Sequence, residues 1–399
     1  MVPKLRFRAF SKEYNIRKLK ETADIVTGNT PSTSNSNFYG GEYMFVSPVD
    51  INEEKFVSHT KTTVSKEGFI NGREIPAYSI MFVCIGSTIG KLAINSHPCI
   101  TNQQINSLIC NAYFSANYLY YILEKHSKKI KELAGIQAVP LINKTTFSNV
   151  ELYFPNTKEQ TKVAGFISSV DEKITLLNKQ YDLLCQYKKG MMQKIFSQEV
   201  RFKDENGETF PEWIQTSLGT ISKVYDGTHQ TPNYVEFGVP FYSVEHVTAD
   251  NFDDTKYISD DVFEQESKRV SIQQGDILMT RIGDIGTVKH INWIPRASFY
   301  VSLSLIKVRK SFDSKMISYC MQSDFFQKDL HKKTIHVAFP KKINLGEISN
   351  CKIKMPASKK EQTKIVILLS AIDDKIAVKK AELDKLKTWK QGLLQQMFV

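Results

Sequence analysis

The sequence predicts an α+β protein in which two mixed α/β domains alternate with two long helices that pair as an antiparallel intramolecular coiled coil. Three observations predict this arrangement. The chain of 399 residues repeats itself at an offset of 202 residues. The repeated segments carry a sustained heptad pattern. The remainder contains short β-rich runs bounded by Gly, Asn or Pro. A chain of this length is expected to form two or three domains.

The repeat is clearest in the two segments predicted as helices. Lys-Glu-Gln-Thr-Lys occurs at 158–162 and again at 360–364, and at this offset 15 of the 40 aligned positions are identical. Such dense agreement is not expected by chance, so the chain consists of two half-molecules related by a pseudo-twofold repeat. We predict domains over 1–155 and 200–355, with the long helices over 156–199 and 356–399.

Apolar residues recur at alternating spacings of three and four along both segments, which is the pattern of a coiled-coil seam. Lys188 and Lys390 interrupt the two seams at equivalent positions. We expect the two seams to bury each other; the alternative is that each helix packs on its own domain. The predicted seam residues are Val163, Ile167, Val170, Ile174, Leu177 and Leu184 in the first helix and Ile365, Leu369, Ile372, Ile376, Leu383 and Leu386 in the second.

The starts of both helices carry a capping-box pattern. Thr157 is followed three residues later by Gln160, and Ser358 by Glu361. In such a box each side chain bonds the backbone N–H of the other residue. We therefore predict that these pairs cap the two helices.

The charge of the chain suits a polyanionic partner such as nucleic acid or an anionic membrane surface. The net charge is +11, and it is unevenly spread. Residues 201–284 contain 7 basic and 16 acidic residues, whereas 285–350 contain 11 basic and 4 acidic residues. If the second domain binds DNA, its later part should supply the phosphate contacts. Its acidic residues should face away, among them Asp250 and Asp260.

Several features indicate a reduced intracellular protein. The six cysteines form no Cys-x-x-Cys pair, the basic N-terminus lacks the apolar stretch of a signal peptide, and no window is apolar enough to span a membrane. We therefore expect a soluble, cytoplasmic protein.

The chain resembles the specificity subunits of type I restriction-modification systems over essentially its whole length. The likeness is carried by the Glu-Gln-x-Lys helix starts at 159 and 361, the helix ends at Lys188–Gln193 and Lys390–Gln395, and two motifs of the second domain. These motifs are Val200-Arg201-Phe202 and the run from Gly275 to Gly283. The first domain departs from the latter, with Pro76–Ser79 in place of the glycine motif and Cys84 in place of Arg281.

The resemblance implies a function without catalysis. Each domain would read one half of a split target in double-stranded DNA, and the helices would set the spacing and dock two methyltransferase subunits. S-adenosylmethionine would then bind the partner methyltransferase rather than this chain. Motor-nuclease subunits would complete the complex.

Polar loop residues are the candidates for DNA contacts, because phosphate contacts position a protein and base-edge contacts specify sequence. For each of them, ordinary loop hydrogen bonding is the alternative. In the first domain we predict Asn29, Thr30, Ser47, Ser87, Thr88, Lys91, Asn102, Gln103 and Gln104. In the second we predict Thr228, His229, Gln230, Thr231, Ser243, His246, Arg281, Lys341 and Lys342. Arg281 could pair with guanine and Gln230 with adenine.

Catalytic and metal-site signatures are not found in the sequence. There is no Asn/Asp-Pro-Pro-aromatic motif for amino-methylation and no His-Glu-x-x-His. The run Gly86–Lys91 has three rather than four residues between its glycines, and Leu92 stands where a phosphate loop needs Ser or Thr. We therefore predict no catalytic residue, metal or cofactor of the chain's own. A self-contained nuclease or methyltransferase and a protein scaffold remain the alternatives.

Overall fold

A computed structural model describes residues 1–52, 54–135 and 139–399. The chain forms two compact units, one made of Met1–Lys179 with Lys380–Val399 and the other of Gln180–Lys379. Each unit therefore contains one α/β domain and a part of each long helix. This is the α+β class expected from the repeat.

The first unit contains ten strands and four short or medium helices, and the first long helix begins in it. Its strands are β1 (Asn15–Lys18), β2 (Ala23–Thr27), β3 (Tyr39–Val46), β4 (Phe56–Val57), β5 (Thr62–Val64), β6 (Ile80–Val83), β7 (Leu92–Asn95), β8 (Cys99–Thr101), β9 (Ile105–Cys110) and β10 (Glu151–Phe154), as described for residues 1–52, 54–135 and 139–179. Its helices are α1 (Leu19–Thr22), α2 (Lys66–Ile70), α3 (Ala116–Lys131) and α4 (Lys144–Ser148), followed by the long helix α5 (Thr157–Phe196).

The second unit has a similar but not identical order of elements. Its strands are β11 (Ile214–Ser217), β12 (Ser222–Asp226), β13 (Val239–Tyr242), β14 (Lys256–Ile258), β15 (Ile277–Ile282), β16 (Asp284–His290), β17 (Ser298–Phe299), β18 (Leu303–Val308) and β19 (Lys352–Met355). Its helices are α6 (Leu218–Ile221), α7 (Val244–Ala249), α8 (Asp260–Ser267), α9 (Ser314–Gln322), α10 (Asp324–Lys333) and α11 (Leu345–Ser349), followed by the long helix α12 (Lys359–Met397).

The strand topology shows that the repeat extends into the domains. The main sheet has the order β2-β9-β6-β7-β4 in the first unit and β12-β18-β15-β16 in the second. A smaller sheet has the order β5-β3-β8 or β14-β13-β17, and in both the last pair is parallel. An antiparallel pair, β1 with β10 or β11 with β19, lies just before the long helix.

The central strands of both main sheets are apolar on both faces because both faces are covered. In β6 all four side chains are buried. Alternate side chains of a strand point to opposite faces, so Ile80 and Phe82 join the core built with α3 and the long helices, while Met81 and Val83 join a core built with β3. In β15, Ile277 and Met279 likewise join one core, while Leu278 joins another core on the opposite face.

Both long helices bury their predicted seam. Eight of the twelve seam residues are at most 8% exposed, and Ile174, Leu184, Ile376 and Leu386 are half-buried. In the first unit Val163, Ile167 and Val170 share a core with Leu393 and Met397, as well as with the sheet and α3. Pairing of the two helices and packing of each helix on a domain thus occur together, because each seam contacts both the other helix and a domain. No helix in the described part of the chain is long and apolar enough to cross a membrane.

The direction of pairing within the first unit is antiparallel. Residues near the start of α5 share the core with residues near the end of α12. The rings of Phe166 and Trp389 meet edge to face, with 6.1 Å between their centroids. In the second unit Ile195, near the end of α5, shares a core with Ile365, near the start of α12.

The lysine that interrupts each seam belongs to a repeated polar cluster. In the first unit Lys390 Nζ lies 2.9 Å from Asp171 Oδ1, and Tyr121 donates to Asp171 at 2.6 Å. In the second unit Lys188 Nζ lies 2.6 Å from Asp373 Oδ1, and Tyr319 donates to Asp373 at 2.6 Å. The first cluster also contains Glu124, 2.8 Å from Lys390. Burial lowers the pKa of Lys390, but the two carboxylates outweigh burial and raise it.

A second repeated ion pair ties the segment before each domain to the start of a long helix. Arg6 makes two hydrogen bonds to the fully buried Glu159, at 2.6 and 2.8 Å. Arg201 does the same to the fully buried Glu361, at 3.2 and 3.1 Å.

The predicted capping boxes are wrong, because the side chains of Gln160 and Glu361 bond other partners. Asn156 caps α5 by accepting from the N–H of Glu159 at 3.1 Å. Gln160 instead donates to Pro155 O and accepts from the N–H of Ser115. The carboxylate of Glu361 likewise forms an ion pair with Arg201.

Candidate nucleic-acid interface

In the first unit three predicted loops meet at one end of the main sheet. They follow β2, join β6 to β7, and join β8 to β9. Thr30 donates to Gln103 Oε1 at 2.7 Å, and the N–H of Cys84 donates to Gln104 O at 2.7 Å. Asn102 Nδ2 donates to Gln104 Oε1 at 2.9 Å. The loops therefore present their polar side chains as one cluster.

The first loop approaches its neighbour so closely that it needs a glycine. A Cβ on Gly28 would stand 2.2 Å from Asn102 O, and a Cβ on Gly227 in the second unit would stand 2.1 Å from Phe299 O. Real Cβ atoms do not approach so closely, so both positions exclude other residues for the same reason.

The predicted DNA-contact residues of the first unit differ in their exposure and in their hydrogen bonds. Ser87, Thr30, Gln103 and Lys91 are exposed, and Asn29 and Thr88 are half-buried. Ser47 bonds Asp50 through both its N–H and its hydroxyl, at 2.9 and 2.7 Å. This bonding shapes the turn after β3, which is the alternative weighed for each polar loop residue.

The second unit brings the equivalent loops together. The N–H of Thr228 donates to Phe299 O at 3.0 Å, and the N–H of Arg281 donates to Ser302 O at 2.9 Å. The N–H of Gly283 donates to Lys341 O at 2.8 Å, which joins the segment before α11 to the same cluster. His229, Gln230, Thr231, Lys341 and Lys342 are exposed there.

Arg281 and His246 are buried, and their polar groups are bonded inside the domain. Arg281 is 8% exposed and donates to the carbonyls of Ile343 and Val301, at 3.2 and 2.9 Å. Burial lowers its pKa. His246 Nδ1 accepts from the N–H of Ser243 at 2.8 Å and so caps α7. In this conformation both side chains support the loops and do not project from them. Thr228 is also buried, at 8% exposure.

Two arginines that were not predicted from the sequence hold the first loop of each unit. Arg73 donates to Thr27 O at 2.7 Å, and its N–H donates to Asn29 Oδ1 at 2.7 Å. Arg269 donates to both the carboxylate and the carbonyl of Asp226, each at 2.5 Å. Each arginine lies just over 40 residues after the strand whose end it binds, a separation that no local motif reveals.

Asp226 is the centre of a charged network in the second cluster. His229 Nε2 lies 2.6 Å from the second carboxylate oxygen of Asp226. Burial raises the pKa of Asp226, but the hydrogen bonds from Arg269 and His229 outweigh burial and lower it.

A polar and aromatic pocket that was not predicted from the sequence lies beside the second cluster. It has a volume of about 550 Å³ and is lined by Tyr234, Ser243, Tyr300 and Ser302 among others. Lys256 Nζ lies 4.7 Å from the centre of the Tyr234 ring. The repeat could have indicated this pocket, because the loop of Tyr300 and Ser302 is equivalent to the loop of Asn102–Gln104, which was predicted to contact DNA.

Two acidic residues of the second unit are neutralised by partners. Asp250 pairs with Lys289, and Asp260 pairs with Arg296. Lys289 stands opposite Leu278, near the start of β15, whereas Arg281 lies near its end. The basic partner of Asp250 therefore lies toward the other end of the hairpin from the clustered loops. Within the described residues no group of three or more His, Cys, Asp or Glu side chains could hold a metal ion.

Comparisons with known proteins agree with the internal repeat. A family model described as "Type I restriction modification DNA specificity domain" matches residues 11–186 and again residues 213–388. The MjaIX specificity subunit of Methanocaldococcus jannaschii, a type I restriction enzyme subunit, is 22% identical over 97% of this chain and 93% of its own length. The HindI specificity subunit of Haemophilus influenzae is 36% identical over 36% of this chain and 32% of its own length.

Solved structures share the fold. The crystal structure of a type I restriction-modification S subunit from M. genitalium aligns with a TM-score of 0.66 at 17% identity, covering 100% of this chain and 99% of that one. A chain from a structural study of assembly and conformational transition in a type I restriction-modification system aligns with a TM-score of 0.54 at 15% identity. That alignment covers 97% of this chain and 98% of the other.

Proposed function

The chain belongs to the family of type I restriction-modification DNA specificity domains, and from this premise we propose that each of its two domains reads one half of a bipartite target in double-stranded DNA. The observation that carries the proposal is the pair of equivalent loop clusters. Each stands at the same end of an equivalent sheet, and each presents exposed polar side chains. Two similar scaffolds with different loop residues suit the reading of two different half-sites.

The proposal divides the candidate residues by their exposure. Exposed amide and hydroxyl groups, such as those of Gln103, Gln230 and Thr231, reach base edges or phosphates. Exposed lysines such as Lys91, Lys341 and Lys342 contact phosphates. Arg281 and His246 act as positioning residues that hold the loops.

The long helices join the readers and receive the partners. Their continuous length sets the number of unread base pairs between the half-sites, and equivalent surfaces on the two halves each dock one methyltransferase subunit. The methyltransferase binds S-adenosylmethionine and modifies the DNA, and motor-nuclease subunits complete the complex. We further propose that the assembly acts in the cytoplasm.

An exchange of one domain tests the proposal. Residues 200–355 are replaced by the equivalent segment of another family member, and the chimera is produced with its methyltransferase subunits. Sequencing of methylated adenines in a host genome should show that one half of the target changes while the other half and the spacing are kept. As the matched control, exchange of residues 1–155 should change the other half only.

Three outcomes contradict the proposal. Methylation at an unchanged target in both chimeras would show that the domains do not read sequence. Methylation by the chain without a partner would favour an enzyme. Assembly with partners but without preference for any DNA sequence would favour a scaffold.

A further inference from the structure

The loop between α10 and α11 has an exposed apolar tip. Phe339 is 104% exposed and Val337 is 97% exposed, so neither side chain packs against the domain. The loop is closed at its base by hydrogen bonds between Ile335 and Lys342, at 2.8 and 3.4 Å. A closed loop that holds a phenylalanine in solvent gains no stability from that side chain.

The surroundings of this tip are basic. Lys332, Lys341 and Lys342 are all exposed on the flanks of the loop. A groove of about 620 Å³ beside the loop is lined by Lys328, Lys332 and Lys341, by His331 and His336, and by two acidic residues, Asp284 and Asp324. The combination of an apolar tip with cationic flanks matches a duplex, which offers stacked bases between two rows of phosphates.

The loop is fixed to the candidate nucleic-acid interface. Its residue Lys341 accepts from the N–H of Gly283 at 2.8 Å, and the N–H of Ile343 donates to Arg281 O at 3.0 Å. The side chain of Arg281 also donates to Ile343 O. The tip is therefore carried by the same hairpin end as the clustered loops of the second unit.

We propose that Phe339 is a wedge that inserts between two stacked base pairs, beside the half-site read by the second domain, while Lys341 and Lys342 hold the flanking phosphates. This inference rests on the proposed function. Apolar side chains inserted in this way unstack a base step and bend the duplex, which lets the protein contact more of it. Stacking on a base also removes the phenyl ring from water.

A protein partner fits the loop less well. The cores of protein interfaces are depleted of charged residues, and lysine is depleted throughout them. Here two apolar side chains stand among three exposed lysines. Elsewhere in this unit Ile294 is 86% exposed, and the cation nearest to it in the sequence, Arg296, is paired with Asp260, so Ile294 serves as a control.

In the first unit, residues 139–141 make the corresponding contact to the main sheet. The N–H of Gly86 donates to Pro140 O at 2.9 Å, as that of Gly283 does to Lys341 O. Val139 and Leu141 are 61% and 43% exposed there. The wedge is therefore expected to distort the half-site of the second domain more than that of the first.

The test uses the chain assembled with its methyltransferase subunits and duplexes that contain the target mapped by adenine methylation. The adenine analogue 2-aminopurine, which fluoresces when it is unstacked, is placed in turn at each step in and beside both half-sites. Wild type, Phe339→Ala, Ile294→Ala and the double variant Lys341→Ala/Lys342→Ala are compared. Assembly with the partner is measured for each variant, and Kd is measured at several salt concentrations.

The wedge predicts a fluorescence increase at one step, outside the methylated adenine, that Phe339→Ala abolishes and Ile294→Ala keeps. Phe339→Ala should raise Kd by about tenfold with an unchanged salt dependence. The double lysine variant should instead reduce the slope of log Kd against log salt by about two.

The inference is overturned if Phe339→Ala keeps every fluorescence increase and the wild-type Kd. It is equally overturned if Phe339→Ala weakens assembly with the methyltransferase while the assembled complex binds DNA normally, since the loop would then contact protein. A wild-type complex without sequence preference would contradict the proposed function itself, and that result is distinct from both.

Discussion

At the scale of single residues, the buried ion pairs at the helix starts differ from those on the surface. Glu159 is fully buried and receives two hydrogen bonds from Arg6. Tyr14 also donates to Glu159, at 3.1 Å. Removal of one partner from a buried pair leaves a desolvated charge, which costs far more than the pair contributes.

We expect Arg6→Ala to lower the free energy of unfolding of the first unit by roughly 3 kcal/mol, because Glu159 stays buried without its counterion. Native-state hydrogen exchange in the full chain measures this for the unit separately. Lys18→Ala is the control, since Lys18 and Glu151 form a pair with 39% and 56% exposed side chains. Its loss should cost under about 1 kcal/mol. Equal effects of the two substitutions would contradict the assignment.

His290 predicts a dependence of stability on acid. Burial is the main cause that lowers its pKa to about 4. The positive charges of Lys315 and Lys289 also lower this pKa, whereas the negative charge of Asp313 raises it. Between pH 4 and about 6.5 the unfolded chain therefore binds the proton that the folded chain does not, so stability is present above this window and is lost as pH falls through it.

Replacement of His290 by Asn should accordingly flatten the pH dependence of unfolding between pH 6.5 and pH 4, by about 2 kcal/mol after allowance for partial exposure of the ring. Urea unfolding at a series of pH values, followed by hydrogen exchange in the second unit, provides the measurement. His59→Asn, in the first unit, should leave the exchange of the second unit as it is in wild type. A curve for His290→Asn parallel to wild type would rule out this role.

Residue types could be predicted from sequence better than residue roles. The loops of Thr30, Gln103 and Gln230 carry exposed polar groups, as expected, and their contacts with DNA remain predictions. Arg281 was expected to project toward a base, but its guanidinium bonds two carbonyls that lie 20 and 62 residues away along the chain. Such partners depend on how distant loops pack, which a single sequence does not specify.

At the scale of elements, the helices were the most predictable part, because a heptad pattern is local and the repeat doubles it. The positions of Lys188 and Lys390 were clear, but their partners were not. Asp171 and Asp373 are identical positions of the repeat, yet only the antiparallel pairing places each beside the lysine of the other helix. A charged residue in a seam favours the register that supplies its partner.

Substitution of Ile376 by Asp tests the seam. Ile376 is half-buried against the core of the second unit, and a carboxylate there would be desolvated without a cation designed to pair with it. We expect loss of assembly with the methyltransferase subunits, and the same for Ile174→Asp, while the α/β domains stay folded by circular dichroism. The exposed Ile367, at 64%, supplies the control Ile367→Asp, which should assemble. Full assembly of Ile376→Asp would show that the seam is not required for assembly.

At the scale of the whole molecule, continuous helices are proposed to set the spacing of the target. Insertion of one heptad after Lys179 together with one after Lys379 keeps both seams in phase and adds about 10 Å to each helix. We expect the unread spacer to lengthen by about three base pairs, and sequencing of methylated adenines reads it directly. Insertion into one helix alone breaks the pairing and should abolish methylation. Recognition at the original spacing by the double insertion would refute the idea.

The membership of the two units has a consequence for biosynthesis. The first unit includes residues 380–399, whose Leu393, Leu394, Met397 and Phe398 fill its core, whereas the second unit is complete at residue 379. During translation the domain that emerges first must therefore wait for the segment made after all of the second unit. Until then Val163 and Ile167 lack part of their cover, which makes the nascent first domain a natural client for chaperones that bind apolar surface.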